Sequence, residues 1–276
     1  MNSPEVKLSV VIPTLNCSEQ FSICANQLSS SLPESVEVIV VDGFSSDGTA
    51  EIAVEKGFQL IQAHGHRLTA RSIGWIRAKG EYVLLLDSDQ IPSNRALLGL
   101  LEVIERVHAD AFILRETSGK RNSWERGLTL LHEIEFMLGE GIPRCIRRSI
   151  LARFETSRYE DFPHIHAEDQ LIYEFLKKCG ARIVALPDVI LENSDPDMVS
   201  VMKKQFMYTR TGTQEGLLGD FFQVSWRSSL RKFSPFAVTR ACSSESDLLI
   251  YYAVLLTRTI FQVAGIVVSR ISLHKV

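Results

Sequence analysis

A chain of 276 residues, 45% hydrophobic and 23% charged, has enough apolar side chain for a large core and too much for a disordered polymer. The formal net charge of −3 gives no general reason to bind nucleic acid, so any basic patch has to be argued locally. Five cysteines, Cys17, Cys24, Cys145, Cys179 and Cys242, contain no CxxC pair and fit reduced cytoplasmic thiols better than a disulfide framework. Met1 to Lys7 is polar and leads straight into a strand-like run, without the apolar core of a secretory signal, so the expected setting is cytoplasmic.

In chain order, Leu8 to Ile12, Val36 to Val41, Gln59 to Gln62 and Glu81 to Leu86 read as strands. Ser18 to Ser31, Asp47 to Lys56 and Arg67 to Lys79 have helical length and spacing between them. Apolar strands alternating with helices predict a mostly parallel sheet flanked by helices, an α/β nucleotide-binding architecture. Lys56-Gly57 and Lys79-Gly80 are read as helix ends, and Pro92-Ser93 as the start of the next helix, Asn94 to His108. Ala111 to Glu116 follows as a strand and Trp124 to Leu138 as a helix. Gly139 to Arg148 reads as a glycine- and arginine-containing loop, Glu168 to Lys178 as a helix and Arg182 to Leu186 as a strand.

Near the end, Leu248 to Val268 is almost wholly apolar except for Thr257, Arg258, Thr259 and Gln262. Its length would span a bilayer, but Arg258 near its middle would cost about 2.5 to 3.5 kcal/mol there. Attachment to a membrane surface, or an ordinary core or homo-oligomer helix, fits better. The expected division is a domain over 1–215 and a helical, apolar C-terminal extension over 216–276, with peripheral contact at the cytoplasmic membrane face as one option.

Ligands of open α/β sheets gather beyond the carboxyl ends of the strands. Three strands end in polar clusters: Pro13-Thr14-Leu15-Asn16, Asp42-Gly43 and Asp87-Ser88-Asp89. Each alone would serve a turn or cap; in a parallel sheet the three meet at one edge. Asp87 and Asp89 repel one another unless a cation or a retained proton intervenes. A hard divalent ion, Mg²⁺ or Mn²⁺, resolves the conflict and prefers one or two carboxylates plus substrate phosphates, which points to a diphosphate ligand.

Four segments in order resemble the family 2 glycosyltransferases of the GT-A fold: Ser9 to Asn16; Val40-Val41-Asp42-Gly43-Phe44-Ser45-Ser46-Asp47-Gly48-Thr49; Ala70-Arg71-Ser72-Ile73-Gly74; and Gly80 to Asp89. The resemblance covers about the first 90 residues, and its combination is more specific than a lone DXD triplet. It implies a UDP- or GDP-sugar donor. Pro13, Thr14, Leu15 and Asn16 would frame base and ribose, Asp42 would accept from them, and Ser45 and Asp47 would lie in the adjoining loop. Arg71 would approach the diphosphate. Asp89 would be the main metal ligand, with Asp87 and Ser88 beside it, Asp87 on the ribose or a metal-bound water.

Ala167-Glu168-Asp169-Gln170-Leu171 resembles the acidic pair that opens an acceptor-side helix in that family. Asp169 would be the general base and Glu168 its companion, and a single base without covalent intermediate implies inversion. Acidic residues also favour the first turns of helices without any catalytic role. Where many relatives carry a histidine, this chain reads Ile190-Leu191-Glu192-Asn193-Ser194. Arg144, Arg147 and Arg148 are expected as a local positive patch for a phosphorylated or lipid-phosphate acceptor, His166 as a lining residue, and Lys204, Tyr208 and Arg210 as a phosphate-facing set, although a solvated basic face reads equally well. His64-Gly65-His66 and His164-Ile165-His166 have no clear third ligand and are assigned no zinc. The acceptor would be a glycan, a lipid-linked group or a small molecule. A nucleotidyltransferase is the nearest rival, but it would want a glycine-rich loop after the first strand; a non-catalytic nucleotide-sugar-binding scaffold is the alternative from another class.

Overall fold

The computed structural model describes residues 5–30, 32–93, 95–118, 122–159, 168–193, 198–214, 231–233 and 235–273. Eight strands carry the sheet: β1 (Leu8–Thr14), β2 (Val36–Asp42), β3 (Gln59–Gln62), β4 (Tyr82–Leu85), β5 (Gln90–Pro92), β6 (Ala111–Thr117), β7 (Pro143–Arg147) and β8 (Ile183–Asn193). The helices are α1 (Ser18–Ser30), α2 (Thr49–Glu55), α3 (Arg67–Arg77), α4 (Ala96–Arg106), α5 (Ser123–Met137), α6 (Arg148–Leu151), α7 (Glu168–Lys178), α8 (Met198–Gln214), α9 (Pro235–Ala241) and α10 (Glu245–Leu273).

The strand order is β3-β2-β1-β4-β7-β6-β8-β5. β1, β2, β3 and β4 pair in parallel, as the buried apolar runs of β1, β2 and β4 predict for strands covered on both faces, with the short, partly exposed β3 at the edge. Beyond β4 the direction changes: β4 pairs antiparallel with β7, β7 with β6, and β5 with β8. The expected loop over Gly139 to Arg148 is thereby corrected, because Pro143–Arg147 is a central strand. Its alternation of arginine with Cys145 and Ile146 hides the apolar signal, since both arginines are satisfied by partners elsewhere in the fold.

Contacts divide the chain into two compact units, Met1–Arg115 with Ile142–Asp161 and Glu168–Ser194, and Glu116–Gly141 with Phe162–Ala167 and Asp195–Val276. In the first, Leu8, Val10 and Ile12 of β1 and Val38 and Val40 of β2 pack with Phe21, Cys24 and Leu28 of α1 and with Leu97 and Leu100 of α4. In the second, Leu130, Leu131 and Ile134 of α5 pack with Ala237 and Val238 of α9 and Tyr251 and Leu255 of α10.

Gly80, read from the sequence as a helix end, has a different reason to be glycine. Helix α3 already stops at Arg77, with Ala78 capping it in an extended conformation. A Cβ on Gly80 would lie 2.7 Å from the Ser9 nitrogen and 2.8 Å from the Leu8 carbonyl carbon, so β4 can enter beside β1 only with no side chain there.

Candidate functional site

The parallel strands deliver their carboxyl ends to one edge, and two of them end in a bonded pair of loops. Asp42, fully buried at the end of β2, accepts from the Thr14 hydroxyl of β1 at 2.9 Å, from the Ser45 amide at 2.8 Å and from the Ser45 hydroxyl at 2.5 Å. The Asn16 amide in turn donates to Ser45 Oγ at 2.8 Å, and Asn16 Oδ1 accepts from the Ser46 amide at 2.9 Å. Asn16 and Phe44 both have positive φ, 46° and 63°, conformations that non-glycine residues hold only where the surroundings enforce them. Pro13 and Thr14 are buried within β1 while Leu15 is largely exposed.

Asp47 ties the same loops from the other side. It accepts from the Ser18 amide at 2.9 Å and from the Thr49 amide at 3.1 Å. The Thr49 hydroxyl holds its carboxyl down to about 2. Asp47 is therefore a brace between the starts of α1 and α2. The ring of Phe44 stacks on His64 with centroids 4.2 Å apart, and His66 caps α3 by accepting from the Thr69 amide at 3.2 Å.

After β4 the chain turns at once. The Gln90 amide donates to the Asp87 carbonyl at 3.0 Å and the Asp87 amide to Gln90 Oε1 at 3.1 Å, leaving Asp87, Ser88 and Asp89 half-buried on the turn. Among the described residues, no group of three or more His, Cys, Asp or Glu is arranged to hold a metal ion.

The charged centre lies where α3, β4, β7 and α7 converge within the first unit. Arg71 sits on the inward face of α3 with Leu68 and Trp75 and is fully buried, a position open to arginine only when its charge is paired. Its Nη2 donates to Asp87 Oδ1 at 2.6 Å, its Nη1 pairs with Asp169, and Glu168 Oε1 lies 3.7 Å from Nη1. Arg144 on β7 is also buried and bridges the same two aspartates, 3.4 Å from Asp87 Oδ2 and 3.2 Å from Asp169 Oδ2. Arg67, one turn before Arg71 on α3, pairs with Glu168 and lies 3.8 Å from Asp87 Oδ1. Three guanidiniums thus face three carboxylates.

Burial pushes the Asp87 carboxyl up, but Arg71, Arg144 and Arg67 together hold it well below the usual carboxylate range. Against the same burial, Arg144 and Arg71 hold Asp169 down. Glu168, fully buried, goes the other way: burial outweighs Arg67 and pushes it up to about 7. The two neighbouring acids therefore occupy different protonation ranges, the arrangement by which a site separates an ionised group from a proton-holding one.

The expected basic patch is corrected. Arg144 is buried against Asp87 and Asp169. Arg147 pairs with Glu81 and donates to the Tyr82 hydroxyl at 2.5 Å, and Arg148 Nε donates to the Gly80 carbonyl at 2.9 Å. Arg144 and Arg147 are thus paired with carboxylates of the fold, while Arg148 is exposed and bonds a neutral carbonyl, so the three do not form one patch. Arg210 belongs to α8, in the second unit. His166 lies outside the described residues, as do the side chains of Lys204, Tyr208, Glu192 and Asn193. Sequence reasoning missed Arg67, although its i, i+4 spacing to Arg71 on one helix face was a usable signal.

Residues 9–166 match the sequence profile of Glycosyl transferase family 2. The glycosyltransferase GlyG of Streptococcus pneumoniae is 29% identical over 113 residues, 38% of either chain. The poly(ribitol-phosphate) beta-N-acetylglucosaminyltransferase TarS of Staphylococcus aureus is 29% identical over 119 residues, 40% of this chain and 21% of TarS. The chain therefore matches well under half the length of these relatives. Among solved structures, the mannosyltransferase PcManGT from Pyrobaculum calidifontis, in complex with GDP-Man and Mn2+, superposes with a TM-score of 0.59 at 16% identity over 98% of this chain and 87% of its own. TarS 1-349 superposes with a TM-score of 0.54 at 20% identity over 98% and 92%. At these identities the likeness is one of fold, the GT-A arrangement expected from the motifs.

Proposed function

Because the chain belongs to glycosyl transferase family 2, whose profile spans residues 9–166, we propose that it transfers a hexose from a UDP- or GDP-sugar to an acceptor hydroxyl with inversion. The observation that carries this reading is the pairing of Asp87 with Asp169 through two buried guanidiniums, Arg71 and Arg144, beside the Thr14–Asp42–Ser45 cluster. Polar strand ends suited to a nucleoside, guanidiniums suited to a diphosphate and an ionised carboxylate on neighbouring elements support the reading.

Asp42, through the loops it braces, holds base and ribose against Pro13 to Asn16. Arg71 and Arg144 meet the diphosphate, and their charge stabilises it as the bond from the anomeric carbon to the diphosphate oxygen breaks. Asp169 takes the proton of the acceptor hydroxyl as its oxygen attacks the anomeric carbon. Glu168 positions Arg67 and, protonated near neutrality, leaves Asp169 as the ionised member of the pair. The same two arginines that bind diphosphate also lower the basicity of Asp169. A donor that draws a guanidinium toward itself therefore raises the proton affinity of the base when it is needed.

A divalent metal fits this donor set. Asp87 and Asp89 stand on one turn; both oxygens of Asp87 pair with Arg71 and Arg144, so Asp89 would be the main ligand, with substrate phosphates and water completing the coordination. Bound there, Mg²⁺ or Mn²⁺ would neutralise charge on the departing diphosphate. The GDP-mannose and Mn²⁺ of the Pyrobaculum structure support both the donor class and the ion. The acceptor is a glycan, lipid-linked or small-molecule hydroxyl, and the setting is cytoplasmic or the cytoplasmic face of a membrane.

Calorimetric titration of UDP and GDP, each with and without Mn²⁺, into the wild type and Asp89→Ala tests this. Mn²⁺-dependent binding of one nucleotide that disappears in Asp89→Ala is the expected result. A folded sample that binds neither nucleotide would refute the reading.

A further inference from the structure

We propose that the ring pair Phe44–His64, beyond the carboxyl ends of β2 and β3, is the surface on which the base of the donor nucleotide stacks. The proposal deepens the transfer reading and rests on it, since its occupant is the donor of that reaction. The pair is a product of the sheet's own register. Asp42 stands opposite Gln62 in the parallel pairing of β2 with β3, and the Ala63 amide extends the ladder by donating to the Asp42 carbonyl at 3.0 Å. Phe44 and His64 each follow such a position by two residues, which brings them side by side, about one inter-strand spacing of 4.8 Å apart. Their rings stack with centroids 4.2 Å apart and planes at 30°.

Neither ring serves the core. Phe44 is 47% exposed and His64 is exposed as well. A single exposed apolar residue is ordinary, but an exposed phenylalanine held in the left-handed region is not. At φ 63° Phe44 takes a conformation that glycine adopts freely and that strains any larger residue. The loop does not need the ring to keep its shape. It is held by the Ser45 amide and hydroxyl on Asp42, by the Asn16 amide on Ser45 Oγ and by the Ser46 amide on Asn16 Oδ1. Glycine at position 44 would leave all of these bonds in place. Among the described residues, Asn16 is the only other non-glycine with positive φ, and it follows Thr14 of β1 by two residues as Phe44 follows Asp42, the partner of Thr14 in the register. The strain is thus confined to the strand ends where a ligand of this sheet would lie.

Position and chemistry select a base as the occupant. The strand order β3-β2-β1-β4 sets the ends in a row, with His64 beyond β3, Phe44 beyond β2, Leu15 beyond β1 and Asp87 beyond β4. Three inter-strand spacings, about 14 Å, separate the first of these from the last, a span that a base, a ribose and two phosphates cover in line. With the diphosphate on Arg71, the partner of Asp87, the base reaches the end of the row where the rings stand. Asp42 cannot hold it directly, because it is fully buried and both its oxygens already accept from Thr14 or Ser45. What this edge offers a base is a flat aromatic face, with Leu15, 61% exposed, as an apolar neighbour at the end of the next strand. Exposed Ser46 and Asp47 on the same loop leave its rim wet, which suits a nucleotide better than an apolar partner.

Calorimetric titration of UDP, GDP and inorganic pyrophosphate, each with Mn²⁺, into the full-length wild type, Phe44→Gly, Phe44→Leu and Phe44→Tyr tests this. The nucleotide that the wild type binds should lose about 5- to 150-fold in affinity in Phe44→Gly and Phe44→Leu, the range that one base–aromatic stack supplies. Phe44→Tyr, which keeps the ring, should bind it within a few-fold of wild type, and pyrophosphate affinity should stay the same in all four proteins. Phe44→Gly should keep or raise the wild-type melting temperature, because glycine relieves the left-handed backbone, so its loss of binding is not one of folding. Unchanged nucleotide affinity in Phe44→Gly and Phe44→Leu, or equal losses for nucleotide and pyrophosphate, would overturn the proposal and leave the transfer reading standing. A folded wild type that binds neither nucleotide would overturn both.

Discussion

Replacing Arg71 by methionine removes the one guanidinium of the centre that is fully enclosed and touches all three carboxylates. In the wild type, Nη2 lies 2.6 Å from Asp87 and Nη1 lies between Asp169 and Glu168. The variant keeps the length and apolar stem of the side chain, so the loss is one of charge and hydrogen bonds more than of volume. Two guanidiniums are left to face three carboxylates out of water, and breaking a buried pair of this kind costs about 3 to 5 kcal/mol. For a chain of this size that corresponds to a fall in melting temperature of roughly 6 to 20 °C. The loss depends on pH with a definite sign. Arg71 depresses Asp87 and Asp169, so its removal raises their proton affinity, and one proton taken up at low pH replaces the missing positive charge. The gap between variant and wild type should therefore be largest near pH 8 and shrink toward pH 5, by about 1.4 kcal/mol per pH unit over which the variant holds one extra proton. Arg71→Met/Asp169→Asn should regain about 1 to 3 kcal/mol relative to the sum of the single changes. Differential scanning calorimetry at pH 5, 6.5 and 8 measures all of this. A fall of less than about 2 °C, or a gap that does not change with pH, would refute the account of Arg71 as the neutralising group.

Glu168 gives a second pH signature. Its carboxyl is raised from 4.5 to about 7, so the folded chain binds more protons than the unfolded one across that window and stability falls as pH rises through it, by on the order of 3 kcal/mol in all. Melting temperatures of Glu168→Gln should lack this slope, and an unchanged slope would remove Glu168 as its source. Asp169→Asn should lower the slow hydrolysis of the bound donor sugar by about 10² to 10⁴ while nucleotide affinity stays within a few-fold; equal losses in binding and turnover would make Asp169 a binding residue instead. Gly80→Ala should destabilise by about 1 to 3 kcal/mol in urea titrations, because its Cβ meets the β1 backbone, and a neutral result would show that β4 can move away from β1.

The parallel half of the sheet was readable because its physics is local. Val36 to Asp42 and Leu8 to Thr14 are predominantly apolar strands, broken only by Glu37 and Ser9, with polar ends, and Gln59–Gln62 and Glu168–Lys178 fall where propensity and spacing place them. Asp42, Asp87 and Asp169 could be singled out because each stands at the end of a strand or the start of a helix. The partners of those acids were not readable in the same way. Arg144 reaches Asp87 through the antiparallel register of β4 with β7, in which Leu84 stands opposite Cys145, and no spacing along the chain announces it. The sequence reading answers the repulsion of Asp87 and Asp89 with a divalent ion; it had no means of seeing that β7 and α3 also bring guanidiniums to Asp87.

The centre around Arg71 also bears on how the first unit folds. Its members come from positions 67, 71, 87, 144, 168 and 169, and the Arg71–Asp169 pair closes a separation of 98 residues. Until α7 has docked, an Arg71 packed with Leu68 and Trp75 on α3 has Asp87 as a partner but lacks Asp169 and Glu168, and β7 adds a second cation, Arg144, to the same aspartate. Partly assembled forms are penalised by that excess positive charge and the complete form is not. The same ion set thus disfavours a halfway structure of this unit in which α3 is buried and α7 is still loose.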